Sequence, residues 1–463
     1  MEPLHAEQFK NDPRIKQAKE LLHQALLDHQ RHITAPVKSC EVMTAQYKQR
    51  LDRAGQLRGR ELFFPYLGSG LGHGALVELA DGSVKYDFIT GIGVHYMGHS
   101  HPMVMEACVD AALEDTLMQG NLQANRISLE VMETLVQLAR AKKAGLRHCF
   151  LTTSGAMANE NAFKIIFQRQ HPAHRLLAFS KCFTGRSMAT SQMTDKPQYR
   201  EGLPKVLEVD YIPFFDPMDP AGSARRAVEL LNSLLEKNKD QYAGMCFELV
   251  QGEGGFYPGS GDFFKTLMKV LKENHVAVMV DEVQTFGRTQ ELFAFQYFGL
   301  DEWVDVVTIG KMTQVCATFF TEEFNPRPGL LSQTFTGASA SLHACKAILE
   351  EMVGNDYLGP DGKIARYSNH FRKRIEELSF KYPQDIHGPF GFGAMVGFTY
   401  RDGAAQVTKN FLTRLFEAGV IAFSAGSDPV RIRFLMPVGA VTFEDIDAVC
   451  SILEDTLKFF RTP

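Results

Sequence analysis

Residues 276–283 read "VAVMVDEV". Five apolar residues in unbroken succession mark a strand buried on both faces, not one with a side turned to water. Asp281 and Glu282 then end the run. A carboxylate there belongs at the rim of a sheet, partly buried, where it is costly unless a cation or a hydrogen-bond donor meets it.

Working outward, "VVTIG" (306–310) repeats the pattern downstream and is followed directly by Lys311. Upstream stand "HCFLTT", "RLLAFS", "VLEVDY" and "AGMCFELV". Segments with helical spacing at 127–143, 157–169, 221–239 and 262–274 separate several of these runs. Short apolar strands spaced by helices predict an α/β fold with a large, mostly parallel sheet covered on both faces. In such sheets ligands bind beyond the carboxyl ends of the strands, so the residues just past each strand carry the chemistry.

Three strand ends stand out. After "HCFLTT", the residues Ser154, Gly155 and Ala156 open a helix with an apolar face. Small residues at such a turn leave backbone N–H groups facing outward, where the helix dipole favours an anion such as a phosphate. After "VAVMV" comes Asp281, and after "VVTIG" comes Lys311. Each alone has an ordinary reading as a tight turn, a salt-bridged acid or a snorkelling lysine. Together they match the needs of pyridoxal 5'-phosphate (PLP): an anion site for its phosphate, an acid for its ring nitrogen and an amine for its aldehyde. No G-x-x-x-x-G-K-[ST] motif is present, which excludes a P-loop NTPase.

Composition narrows the class. The 463 residues suit two or three domains; 45% are hydrophobic and 22% charged, an ordinary soluble profile. A net charge of −5 without a basic block argues against nucleic acid as a partner. No apolar run is long enough to span a bilayer, and the charged opening "MEPLHAEQFKNDPRIKQ" lacks a signal-peptide core. Eight scattered cysteines without a C-x-x-C pair read as small buried hydrophobes in a reducing, cytoplasmic compartment. "DPRIKQAKELLHQALLDHQRHI" predicts an N-terminal helix, "ADGS" a hairpin within a turn-rich passage, and "TFED" the capping box of the final helix. The expected division is an N-terminal segment 1–85 and a C-terminal part 339–463 that join into a smaller α+β domain, around a large domain at 86–338.

The segments "TTSGAMANENAFK", "CFTGRSM", "FELVQGEGGFYP", "MVDEVQTFGRTQELFAFQYFG", "TIGKMTQVC", "SQTFTGASASLHACKAILE" and "VRIRFLMP" resemble, in order, the class III (ω-amino acid) aminotransferases of PLP fold type I. The string "GKMTQVC" is most similar to the lysine 6-aminotransferase branch. The resemblance implies a seven-stranded large-domain sheet and assigns Lys311 as the Schiff-base lysine and proton shuttle. Asp281 becomes the partner of the ring nitrogen, Ser154, Gly155 and Ala156 the phosphate turn, and Phe183 and Val283 the residues against the two ring faces. Gln284 is implied at the phenolic oxygen, and Thr334 at the phosphate of the neighbouring subunit in a homodimer. Arg186 is similar to the arginine that holds a carboxylate distal to the reacting amine. Arg433 is similar to the arginine for 2-oxoglutarate, and Glu253 to the glutamate that covers it. Glu248 is read as a structural acid.

The implied activity transfers the terminal amine of a lysine-like ω-amino acid to 2-oxoglutarate by a ping-pong cycle, giving a semialdehyde and glutamate. Alternative donors are 4-aminobutyrate, ornithine, acetylornithine or a diamine. An aminomutase or decarboxylase on the same fold, and a non-catalytic PLP-binding regulator, are the remaining readings. Thr184 stands where the family usually has histidine, and Met157 where an acid is common. "ELVQ", "GKMTQVCATFF" and "QTFTGASASL" also depart from the common strings, which leaves the pocket shape open. His95, His99 and His101 lie close in sequence but lack a completing ligand nearby, so no metal is expected. "LMQGNLQANRIS" is similar to a family loop near the active site.

Overall fold

The computed structural model describes residues 4–114, 117–118 and 122–461. The chain divides into two compact units: one of residues 115–365 with 391–393, the other of 1–114, 366–390 and 394–463. These divisions differ from the expected ones at 85/86 and 338/339. Val84–Asp87 pairs with Val420–Ile421 and so anchors the chain beyond residue 85 in the terminal unit, while the helix Ser339–Gly354 packs on Arg126–Ala139 in the central one.

The central unit is built on seven strands: β1 (Leu146–Thr152), β2 (Arg175–Phe179), β3 (Glu208–Ile212), β4 (Tyr242–Glu248), β5 (Ala277–Glu282), β6 (Val306–Ile309) and β7 (Cys316–Thr321). Their order across the sheet is β1-β7-β6-β5-β4-β2-β3. Strands β2 to β6 pair in parallel, and β7 runs antiparallel to both β6 and β1. The inner strands β4, β5 and β6 are buried at every position, as their unbroken apolar runs predict. Edge strand β3 is mostly half-buried. Strand β7 ("CATFFT") is not among the strands expected from the sequence. The link Gly310–Val315 is too short for a crossover helix, so the chain can only return antiparallel.

The helices start where capping residues stand. Asn125, Ser154, Asp219 and Ser260 each accept a backbone N–H from the first turn of the next helix. These helices, Arg126–Ala139, α1 (Gly155–Gln170), Pro220–Lys237 and Gly261–Glu273, lie close to the expected segments. In register, Asp281 on β5 lies beside Glu248 on β4 and Thr308 on β6. That alignment sets the acid next to the strand that leads into Lys311.

The terminal unit holds a four-stranded sheet that includes Leu76–Leu79 and Val84–Asp87, the predicted hairpin, and a second of Ile386–Phe392, Met395–Tyr400, Arg431–Leu435 and Phe423–Ala425. The N-terminal helix Pro13–Gln30 is capped by Asp12, and the last helix, Phe443–Phe459, by the Thr442–Asp445 box. A further helix, Glu41–Arg58, arises ahead of the turn-rich passage without having been expected. Only Tyr47 is buried on it, so it has no apolar stripe to announce it. Nε2 of His99 donates to Oδ2 of Asp87 (2.9 Å) and His101 caps the helix Pro102–Ala112. No group of three or more histidine, cysteine or acidic residues able to hold a metal occurs among the described residues. Residues 119–121 of "LMQGNLQANRIS" lie outside the described residues; Asn125 caps the helix Arg126–Ala139.

Candidate active site

At the open end of β1, Ser154 is extended and its Oγ accepts the N–H of Met157 (3.2 Å). The cap leaves the N–H groups of Gly155 and Ala156 at the start of a sixteen-residue helix. Gly155 is required by a close approach: a Cβ there would lie 2.7 Å from Cγ1 of Val283, two residues past Asp281. The anion turn and the end of β5 are thus packed together. Met157 points to solvent.

Asp281 is buried. Its Oδ1 accepts the N–H of Val283 (2.9 Å) and its Oδ2 accepts Nδ2 of Asn159 (2.7 Å). Burial raises its carboxyl to about 6, against the lowering effects of the Val283 N–H, Asn159 and the charge of Lys311. An acid so held is stabilised further by any cation placed at it, as a protonated ring nitrogen would be.

Lys311 follows β6 with a left-handed backbone (φ 58°) and opens a single 3₁₀ turn that closes at Gln314, also left-handed (φ 57°). Two such residues in one turn cost on the order of 1–3 kcal/mol each, and such strain gathers at functional sites. The buried Met312 and Thr313, the latter donating to the Val315 carbonyl (2.6 Å), hold the turn in place.

Phe183 is half-buried; its N–H donates to Oε1 of Glu248 (3.0 Å), while Oε2 accepts the N–H of Gly252 (2.9 Å). Glu248 therefore ties the Phe183 loop to the turn that carries Glu253, a structural role as expected. Burial, with Asp281 beside it, lifts the Glu248 carboxyl to about 8. Thr184 is turned into its own loop, with its N–H donating to Thr194 Oγ1 (3.0 Å) and its Oγ1 to the Thr190 carbonyl (3.1 Å). Arg186 is exposed, stacks 4.1 Å over the Tyr199 ring and donates to its hydroxyl (3.0 Å). Tyr199 also meets Phe183 edge-on at 6.4 Å.

Gln284 is buried, and its Oε1 has no hydrogen-bond partner among the described residues. Gly252 makes room for that amide, since a Cβ would meet Oε1 at 2.2 Å. A buried amide left to a ligand, an anion turn, an ionisable acid and a strained lysine fit PLP in number and kind.

Lys311, Asp281, Val283, Gln284, Ser154, Gly155, Ala156, Phe183, Arg186 and Glu253 all belong to the central unit. Thr334 belongs to it as well, exposed, next to Gln333, which accepts from Thr152 Oγ1 at the end of β1 (2.6 Å). Arg433 belongs to the terminal unit, fully buried on Arg431–Leu435 between Gly397 and Phe423. Sequence reasoning missed Asn159 and Tyr199. An asparagine buried on the apolar face of α1, beside Ala158 and Ala162, was the available signal for the first; nothing in the sequence pointed to the second.

Residues 69–457 match the family model described as "Aminotransferase class-III". Among curated relatives, the acetylornithine aminotransferase of Methanocaldococcus jannaschii is 30% identical, with 83% of this chain and 92% of that protein covered. The mitochondrial acetylornithine aminotransferase of Saccharomyces cerevisiae is 28% identical, covering 80% and 85%. Among solved structures, the lysine aminotransferase from M. tuberculosis superposes with a TM-score of 0.78 at 24% identity, covering 88% and 99%. The ornithine aminotransferase from Toxoplasma gondii ME49 gives 0.76 at 20% identity, covering 90% and 96%. These two show the shared fold.

Proposed function

The chain belongs to the class-III aminotransferases, enzymes that depend on PLP, and on that premise we propose that it moves the terminal amine of an ω-amino acid to 2-oxoglutarate. The observation that carries the reading is the juxtaposition of Asp281 and Lys311 at the ends of adjacent parallel strands, with the Gly155 turn packed on Val283.

Bound PLP supplies an electron-withdrawing ring that accepts the electron pair released at the amine-bearing carbon. The chain's own residues do the rest. The N–H groups of Gly155 and Ala156, with the dipole of α1, hold the phosphate. Asp281 would accept a hydrogen bond from the ring nitrogen and keep it protonated. Phe183 and Val283 would lie against the two faces of the ring, and the Gln284 amide would meet its phenolic oxygen. The Nζ of Lys311 would hold the cofactor's aldehyde carbon and, once a donor amine has displaced it, would serve as the base for the proton on the donor's terminal carbon. Arg186 would hold the donor's distal carboxylate, and the family resemblance carries Arg433, whose planar fork suits a bidentate carboxylate, to 2-oxoglutarate and Glu253 to the role of its companion acid. Separate arginines for the two substrates suit a ping-pong cycle that yields a semialdehyde and then glutamate.

Lysine is the favoured donor on the resemblance of "GKMTQVC". N-acetylornithine is a second reading, favoured by the relatives of 28–30% identity. Both present a carboxylate distal to the reacting amine. We further read the enzyme as a cytoplasmic homodimer in which Thr334 reaches the partner's phosphate; eight cysteines free of disulfides and an exposed Thr334 support this. No described helix is long and apolar enough to cross a membrane.

The test is a donor screen on PLP-loaded protein with 2-oxoglutarate, scoring glutamate. Lysine, N-acetylornithine, ornithine, 4-aminobutyrate and a diamine are the arms. Conversion of the cofactor's visible absorption band by at least one ω-amine is expected; a loaded protein whose band no amine shifts overturns the proposal. Arg186→Ala should raise KM for carboxylate-bearing donors roughly tenfold, the scale of one charge-assisted hydrogen bond, and leave a diamine's KM unchanged.

A further inference from the structure

One buried amide touches the loop and two strands around the candidate site. Asn159 stands on α1, one turn past Gly155. Its Nδ2 donates to Asp281 Oδ2 (2.7 Å) at the end of β5 and to the Thr184 carbonyl (2.7 Å) beside Phe183. Its Oδ1 accepts from Thr308 Oγ1 (2.8 Å) on β6, three residues before Lys311. Asn159 and Thr308 are both buried almost completely. The Thr184 carbonyl can only accept, which requires the nitrogen on that side, and the oxygen is left to take the Thr308 hydroxyl. The three partners thus fix the orientation of the amide.

We propose that Asn159 is the positioning residue that sets the direction and charge of the Asp281 carboxylate, and that it locks that acid in register with the phosphate turn, the ring-stacking loop and the lysine strand. This rests on the reading of Asp281 as the partner of the cofactor's ring nitrogen. A hydrogen bond from a neutral amide favours the ionised acid without adding a competing charge. The charged and titratable groups that otherwise influence Asp281 are Lys311 and Cys316 from the β6–β7 side, Glu248 and Cys246 from β4, and Glu282 from its own strand. Lys311 is the one cation among them, so neutral donors supply much of the support for the ionised acid.

The experiment measures the dissociation constant of PLP for the apo protein by fluorescence titration, across pH, for Asn159→Asp, Asn159→Ala, Thr308→Val and Asp281→Asn. Asn159→Asp keeps the volume and the acceptor for Thr308 but removes both donors and brings a second carboxylate to Asp281. It should weaken PLP binding roughly tenfold or more, the scale of a hydrogen bond to a charged group, and move the acid limb of binding to higher pH. Asn159→Ala should do the same to a smaller degree. Thr308→Val, which keeps the shape of β6 and releases the amide, should shift the limb least in the same direction and keeps the test open if the Asn159 variants fail to fold. Should all three hold the limb and the dissociation constant within about twofold of the parent while Asp281→Asn moves both, Asn159 is a packing residue and the proposal is wrong. Should Asp281→Asn itself move neither, the assignment of Asp281 fails, and the proposal with it.

Discussion

Two buried aspartates, one in each unit, share a local device and differ in what completes it. Asp87 is the last residue of its strand and Asp281 the last but one of β5, and each accepts the N–H of the residue two positions on, Ile89 at 3.1 Å and Val283 at 2.9 Å. Asp87 then takes a second N–H from Thr90 (2.6 Å) and meets the imidazole of His99 (2.9 Å). Its partners all come from its own unit and hold the start of the next segment in place. Asp281 instead takes a neutral amide on its second oxygen, and burial leaves its carboxyl near 6. The first acid is completed within the fold, while the second, on the proposed reading of the site, is completed by the cation of the cofactor ring. Glu282, the next residue on β5, repeats the lesson on the opposite face. Both its oxygens accept N–H groups, from Ala294 and Phe295 at 2.7 Å, and cap a short helix.

The largest test of that contrast removes the chemistry outright. Lys311→Ala should lose covalent attachment of the cofactor and cut transamination by roughly 10⁴-fold or more. Borohydride reduction followed by mass spectrometry checks it; a reducible linkage that survives in the variant would refute the lysine assignment. Next, the two aspartates should part company. Asp281→Asn should reduce kcat/KM at least about 100-fold, with a modest change in apo melting temperature, because losing an acceptor is offset by losing a buried charge. Asp87→Asn should lower stability by about 1–3 kcal/mol with kcat per folded molecule intact. Equal effects on stability and kcat in both variants would break the comparison.

The smallest effect is a pH slope. Asp281, Glu282 and Glu248 are raised to about 6, 7 and 8 from ordinary values of 3.8, 4.5 and 4.5. The native chain therefore keeps protons that the unfolded chain has released, and stability falls as pH rises. Their stabilisation is fully present below about pH 4 and lost by about pH 8, so the apo melting temperature should decline across that window apart from other groups. PLP, whose ring cation favours ionised Asp281, should flatten the lower part of the slope. A slope that cofactor loading leaves unchanged would uncouple Asp281 from the ligand.

The helices and inner strands of the central unit are legible in the sequence because β4, β5 and β6 are buried on both faces and so must be apolar throughout. The helix Glu41–Arg58 is not, since a segment that buries one side chain carries little periodic signal. β7 is hidden for a different reason. Its residues read as part of the lysine motif, and only the shortness of the link before it forces the reversal.

The sequence alone determined the succession of six of the seven strands and the chemistry at their ends: a small-residue turn, an acid and a lysine, in an order that pointed to PLP. Those features are local, written in apolar runs and the residues that stop them. Tertiary structure decided which groups share a space. Asn159, Asp281, Thr184 and Thr308 are far apart along the chain, and no periodicity links them. Only the parallel register of β5 and β6, with α1 laid against the sheet, brings one amide within hydrogen-bonding distance of the other three.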